Sequence, residues 1–188
     1  MEFFGNKDNS NVTISVINRI YASPFIVAKN GVANRIYIYF ASEAVGSKFV
    51  LGLYSSERNK ITQSEEKVLD SGIGWKYADI PNTIVLEGQS YIITEADNSG
   101  ILSKAYDNTL GTLYFPFKSY NGVLPDVLPV TTIQGTLRIY CEFEPNPKYL
   151  SPDKNKPSGY HCFISQFVKN KLSGYIPLKT PDGVNRYW

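Results

Sequence analysis

The chain has 188 residues, enough for one substantial core with short extensions. Only 19% of them are charged, while Tyr (14) and Phe (10) are abundant, which points to an all-β protein with much aromatic surface. A net charge of +2, carried by scattered rather than striped basic residues, argues against nucleic acid as the main partner.

Residues 1–18 read as an extended N-terminal arm, with apolar Phe3-Phe4-Gly5, a polar turn-like stretch from Asn6 to Asn11, and a short strand signal from Val12 to Val16. The opening MEFFGNKDNSNV has neither a basic region nor an apolar run, so no secretion signal is expected there. Ile20 to Ala28 reads as an edge strand, because Pro24 cannot donate to a ladder. After the turn dipeptide Asn30-Gly31, Arg35 to Phe40 alternates, with Ile36, Ile38 and Phe40 on one face and Tyr37 and Tyr39 on the other. Lys48 to Ser55 repeats the pattern with Phe49, Leu51 and Leu53, and Gly52 within it suggests a bulge or close packing. A charged turn at Glu57 to Lys60 and a short strand at Lys67 to Leu69 follow.

The strongest signal is Ser71 to Ala96, a strand, a turn and a second strand. Ile73, Trp75, Tyr77 and Asp79 alternate with Gly74, Lys76, Ala78 and Ile80, and Pro81-Asn82 is expected to break the run. Glu87-Gly88 turns the chain into Ser90 to Thr94, and Asp97-Asn98-Ser99-Gly100 reads as a hairpin turn. Those four residues lack the acid count of a calcium loop. Ile101 to Tyr106 and Thr112 to Phe117 read as separate strands, and Ser119 to Pro129 as a surface loop. Gln134 to Phe143 alternates cleanly, placing Leu137, Ile139, Cys141 and Phe143 inside and Thr136, Arg138, Tyr140 and Glu142 outside.

Composition then changes abruptly. Residues 144–158 form a proline-rich linker, and residues 159–188 an aromatic tail with one short helical pattern from Phe163 to Lys171. Thirty residues cannot build a core of their own, yet this tail is too apolar to stay solvated. The expected architecture is an antiparallel β-sandwich of jelly-roll type over residues 19–143, with the arm before it and the proline-tethered tail behind. No stretch reaches the ~20 apolar residues of a membrane span.

Phe49 to Ser55, then Gly74 to Ile80, then Leu86 to Ile93 are similar to strands of certain jelly-roll modules. In those modules an "xLxLYS" strand precedes a Gly-Trp strand and a "Leu-x-Gly-x-x-Tyr" strand. Such modules occur as carbohydrate-binding-like domains and as appendage domains of bacteriophage virions. The resemblance spans about residues 33–143 and implies the fold more strongly than any activity.

Catalysis by a Ser/His/Asp or Cys/His set needs a histidine base, and the single histidine is His161. Its neighbour Cys162 points the other way on an extended chain, so the two read as structural and no metal site is expected. Cys141 and Cys162 read as reduced thiols, and the scattered carboxylates lack a positioned base. The chain is therefore expected to be non-enzymatic and free of cofactors. Aromatic residues are the remaining candidates. Trp75 and Tyr77, or Tyr106, Tyr114 and Tyr120 near loops, are candidates for stacking on a surface glycan; packing is the competing role. Phe3, Phe4, Phe163, Phe167, Tyr175, Tyr187 and Trp188 are candidates for docking onto protein subunits of the same assembly, a homo-oligomer in the first instance. The expected setting is a virion, with the sandwich displayed as an appendage.

Overall fold

A computed structural model describes residues 1–8, 12–15, 19–99, 104–114, 120–130 and 132–145, with backbone alone for 108–114 and 132–134. The linker and tail expectations, including His161, Cys162, Phe163, Phe167, Tyr175, Tyr187, Trp188 and the helical pattern, lie outside the described residues.

Two antiparallel sheets pack as a sandwich, with no helix among the described residues. The strands are β1 (Glu2–Gly5), β2 (Val12–Ile14), β3 (Ile20–Ile26), β4 (Gly31–Phe40), β5 (Lys48–Ser55) and β6 (Lys60–Gln63). There follow β7 (Lys67–Val68), β8 (Gly74–Val85), β9 (Ser90–Asp97), β10 (Lys104–Tyr114), β11 (Thr132–Leu137) and β12 (Ile139–Pro145). The first sheet runs β1-β12-β4-β8 and the second β10-β3-β9-β5-β6. They join where β10 meets β4 at Lys104 and β3 at Tyr114. Between β11 and β12, Arg138 is the switch residue: its N–H donates to the Ala105 carbonyl and its own carbonyl accepts from Tyr39. One nearly continuous segment thus serves β10 first and β4 afterwards.

The alternating apolar positions fill the space between the sheets. Ile36, Ile38 and Phe40 of β4 meet Phe49, Leu51 and Leu53 of β5, and Leu137, Ile139, Cys141 and Phe143 close the same core. Burying each such side chain contributes about 1.5–3 kcal/mol.

Several elements depart from the sequence expectation. The N-terminal arm is not free, because β1 pairs with β12 and β2 with β10, and Phe4 lies in the core at 4% exposure. Strand β3 is flanked by β9 along its length and by β10 at Ala22, so it is not an edge, and Pro24 sits within the β9 ladder opposite Ile92. Pro81-Asn82 does not end β8. The strand lies at the margin of its sheet, and the extra residues there are absorbed by a register shift between Ala33 and Arg35. The two strands expected around Asp107-Asn108 are one strand, β10, with an irregularity between Asp107 and Thr112.

The segment 120–130 is not a plain surface loop. Leu124 and Leu128 are buried beneath it against Ile20, Val50, Tyr54 and Ile92, forming a second, smaller core on the outer side of β5 and β9. Tyr54 donates to the Pro125 carbonyl at 2.6 Å, and Gln63 Oε1 accepts from the Leu124 N–H at 3.0 Å. Gly52 is required by this close approach, since a Cβ there would overlap the Leu124 side chain.

At one end of the main core lies a charged cluster with almost no solvent access. The Lys104 ammonium pairs with the Asp97 carboxylate, lies 3.7 Å from Glu95 Oε2, and sits 4.3 Å from the centre of the Tyr21 ring. Neither Glu95 oxygen has a hydrogen-bond partner among the described residues. Burial pushes the Glu95 carboxyl well above the usual range; Lys104 counters this and Asp97 adds to it. Asp97 takes the cation, and burial biases Glu95 toward its protonated form. A folded-state value raised above the unfolded one gives stability that is complete below the ordinary carboxylate range and lost as pH rises through the raised value. Chemical denaturation across pH should therefore show Glu95→Gln closest to wild type at and below the ordinary carboxylate range and exceeding it increasingly as pH rises above that range. A constant gap at every pH would contradict a raised Glu95 carboxyl. Lys104→Met, which leaves Asp97 buried and unpaired, should cost about 3–5 kcal/mol.

Candidate functional site

The outer face of the first sheet collects the aromatic side chains that alternation keeps out of the core. Strand β4 turns Tyr37 and Tyr39 outward as it turns Ile36 and Ile38 inward. Register sets Tyr140 of β12 against Tyr37, and Tyr77 of β8 on Tyr37's other side. Tyr39 faces Trp75, and Gly5 of β1 faces Tyr140. Cross-strand neighbours of this kind are within ring-contact distance.

The rings form one connected patch. Tyr37 stacks on Tyr140 with centroids 4.6 Å apart and planes 8° from parallel. Tyr77 lies 5.5 Å from Tyr37, and Trp75 meets Tyr140 edge-on at 5.0 Å. Tyr39 meets Trp75 at 5.6 Å, and Phe3 meets Tyr140 at 5.5 Å. Each pair contributes about 0.5–1.5 kcal/mol beyond its area. Tyr77 and Phe3 remain 51% and 46% exposed at the two margins, whereas Tyr140 in the middle is reduced to 8%.

Cations lie over several of the rings. Arg138 is 4.0 Å from the Tyr39 centroid and 5.0 Å from that of Trp75. Lys7 is 3.7 Å from Phe3 and 4.0 Å from Tyr140, and Arg35 is 4.5 Å from Tyr77. Arg35 also donates to Asp79 at 2.6 Å, which raises its already high basicity. Both groups are well exposed, so this pair adds little stability. The Tyr140 phenol is pushed up to about 12, chiefly by burial and then by Glu142. The Tyr37 phenol is raised as well, first by burial, with Arg35 pulling against it and Glu142 with it. Both hydroxyls thus stay protonated and able to donate at neutral pH.

Of the residues expected from sequence to bind a ligand, Trp75 and Tyr77 lie on this patch. Tyr106 and Tyr120 do not. Tyr106 packs partly buried against the main core, and Tyr120 packs on the second core while donating to Glu66 at 2.8 Å. The Tyr114 side chain lies outside the described residues. Of the expected docking residues, Phe3 is on the patch and Phe4 is consumed by the core. Tyr37, Tyr39, Tyr140, Lys7, Arg35 and Arg138 were not among the expected site residues. Their signal was present in the outward faces of RIYIYF and QGTLRIYCEF, but the register that unites them was not.

Among the described residues no three His, Cys, Asp or Glu side chains gather as a metal would require. Among the described residues there is no helix long and apolar enough to cross a membrane. No family model matches the chain, and neither do any curated protein or solved structure.

Gly5 seats β1 beside Tyr140. Its φ of +134° is a glycine conformation, and a Cβ would overlap the Tyr140 and Ile139 backbone. Gly5→Ala should destabilise the domain by about 1–3 kcal/mol and loosen β1. Amide exchange should rise at Phe3 and Phe4; unchanged exchange and an unchanged denaturation midpoint would contradict this role.

Proposed function

We propose that the chain is a non-enzymatic subunit of a larger assembly, attached to a neighbouring copy through the aromatic face of the first sheet. The observation that carries this reading is the continuous patch of Phe3, Tyr37, Tyr39, Trp75, Tyr77 and Tyr140, interleaved with Arg35 and Arg138. Tyr, Trp and Arg are the side chains that dominate the energetics of protein interfaces. The face also carries both signs of charge, with Asp79 and Glu142 beside the cations, as a surface that meets its own copy requires. A virion appendage is the setting suggested by the resemblance over residues 33–143. The aromatic tail, with Phe163, Phe167, Tyr175, Tyr187 and Trp188, belongs to the attachment on sequence grounds.

The second reading is a carbohydrate-binding surface, favoured by the half-exposed ring of Tyr77. Sugar stacking needs open ring faces, and cations lie over Tyr39, Trp75, Phe3 and Tyr140. That geometry favours the protein partner.

Sedimentation velocity of the full chain over a wide concentration range tests the choice. The docking reading expects concentration-dependent association that Tyr77→Glu abolishes while the chain still unfolds in one cooperative transition, its melting temperature lowered only by the lost contacts to Tyr37 and Arg35. A chain that stays monomeric throughout, yet binds glycans on an array in a Tyr77-dependent way, would replace it with the carbohydrate reading.

A further inference from the structure

Lys7 and Arg138 differ from the ion-paired cations of the domain in what holds them. Lys29, Arg35, Lys48, Lys60 and Lys104 each have a carboxylate within ion-pair distance. Lys7 and Arg138 have none among the described residues, although they are neighbours: Arg138 Nε donates to the Lys7 carbonyl at 3.4 Å. What holds each in place is a pair of rings, Phe3 and Tyr140 for Lys7, Tyr39 and Trp75 for Arg138. Both cations therefore stand over rings of the same aromatic face, and neither has a carboxylate partner among the described residues. Arg138 has only a weak bond at Nε, which leaves its terminal nitrogens able to meet a carboxylate in the bidentate manner.

The geometry points to an anion-recognition corner, built by Lys7 and Arg138 on the aromatic face, that takes the carboxylates of an acidic, extended segment of the neighbouring subunit. Charge complementarity decides the sign. The rings decide against a neutral sugar, because the faces on which it would stack lie under the cations. The docking reading decides for a peptide, since a neighbouring protein subunit offers its carboxylates on polypeptide. The inference rests on the docking reading above for the identity of its partner.

The test uses the full chain and a capped hexapeptide alternating Glu with Ser, beside the same peptide with Gln for Glu. Binding is followed at the indole N–H of Trp75 by NMR. The Glu peptide should saturate this signal, the Gln peptide should not, and about 0.5 M salt should weaken the binding strongly. Lys7→Gln and Arg138→Gln should each weaken it about fivefold or more. Lys7 is exposed, so its variant keeps the test meaningful if Arg138→Gln disturbs the ring stack. Equal binding of both peptides, no loss in Lys7→Gln, or saturation by trigalacturonate where the Glu peptide is inert would overturn the inference. Association lost in Tyr77→Glu, with peptide binding indifferent to Lys7, would sink this inference alone. Peptide binding that depends on Lys7, with association untouched by Tyr77→Glu, would sink the docking reading and leave the anion corner in place.

Discussion

The register of β4 between β12 and β8 is the constraint on which the aromatic face depends. A strand has period two, so a slip of one residue would carry Tyr37 and Tyr39 into the core and Ile36 and Ile38 into water. The hydrophobic core fixes the register because the loss on slipping would be several buried side chains at once. The row Tyr140, Tyr37, Tyr77 is then imposed on the outer face. Core packing on one side thus positions the rings on the other. Arg138, at the junction of β11 and β12, is fixed by the same strands and comes to lie over Tyr39 and Trp75.

The domain uses charge in two opposite ways. Inside, Lys104 answers the burial of Asp97, which ties β9 to β10 at the point where the sheets join, while burial raises the Glu95 carboxyl. Outside, Lys7, Arg35 and Arg138 lie over rings that would otherwise be exposed apolar surface. A cation over a ring lowers the cost of leaving that ring at the surface. The same cations remain able to bond outward, so the arrangement suits a face that is bare in one state and covered in another.

Alternation made most of the fold legible in the sequence. The inward faces of Arg35–Phe40 and Gln134–Phe143 were readable because each strand carries its own period. Pairing was not readable, since nothing in a single strand names its neighbour. That is why Tyr37, Tyr39 and Tyr140 were not recognised as companions of Trp75 and Tyr77. Prolines misled for a related reason. Pro24 and Pro81 disrupt a ladder only on the side where their nitrogen would have donated, and that side is set by the tertiary partner. The arm was misjudged because nothing in Glu2–Gly5 names β12, more than 130 residues on, as the strand it pairs with. Leu124 and Leu128 looked like loop residues because their partners, Val50 and Tyr54, lie far back in the chain.

The central claim is that the outer face of the first sheet becomes covered by protein. Hydroxyl-radical footprinting of the full chain, dilute and then concentrated, addresses it directly. Oxidation of Trp75, Tyr77 and Phe3 should fall on concentration, while exposed apolar side chains elsewhere, such as Ile26 and Val68, should stay as reactive as before. Protection at Ile26 or Val68 with no change at Trp75 and Tyr77 would contradict the account.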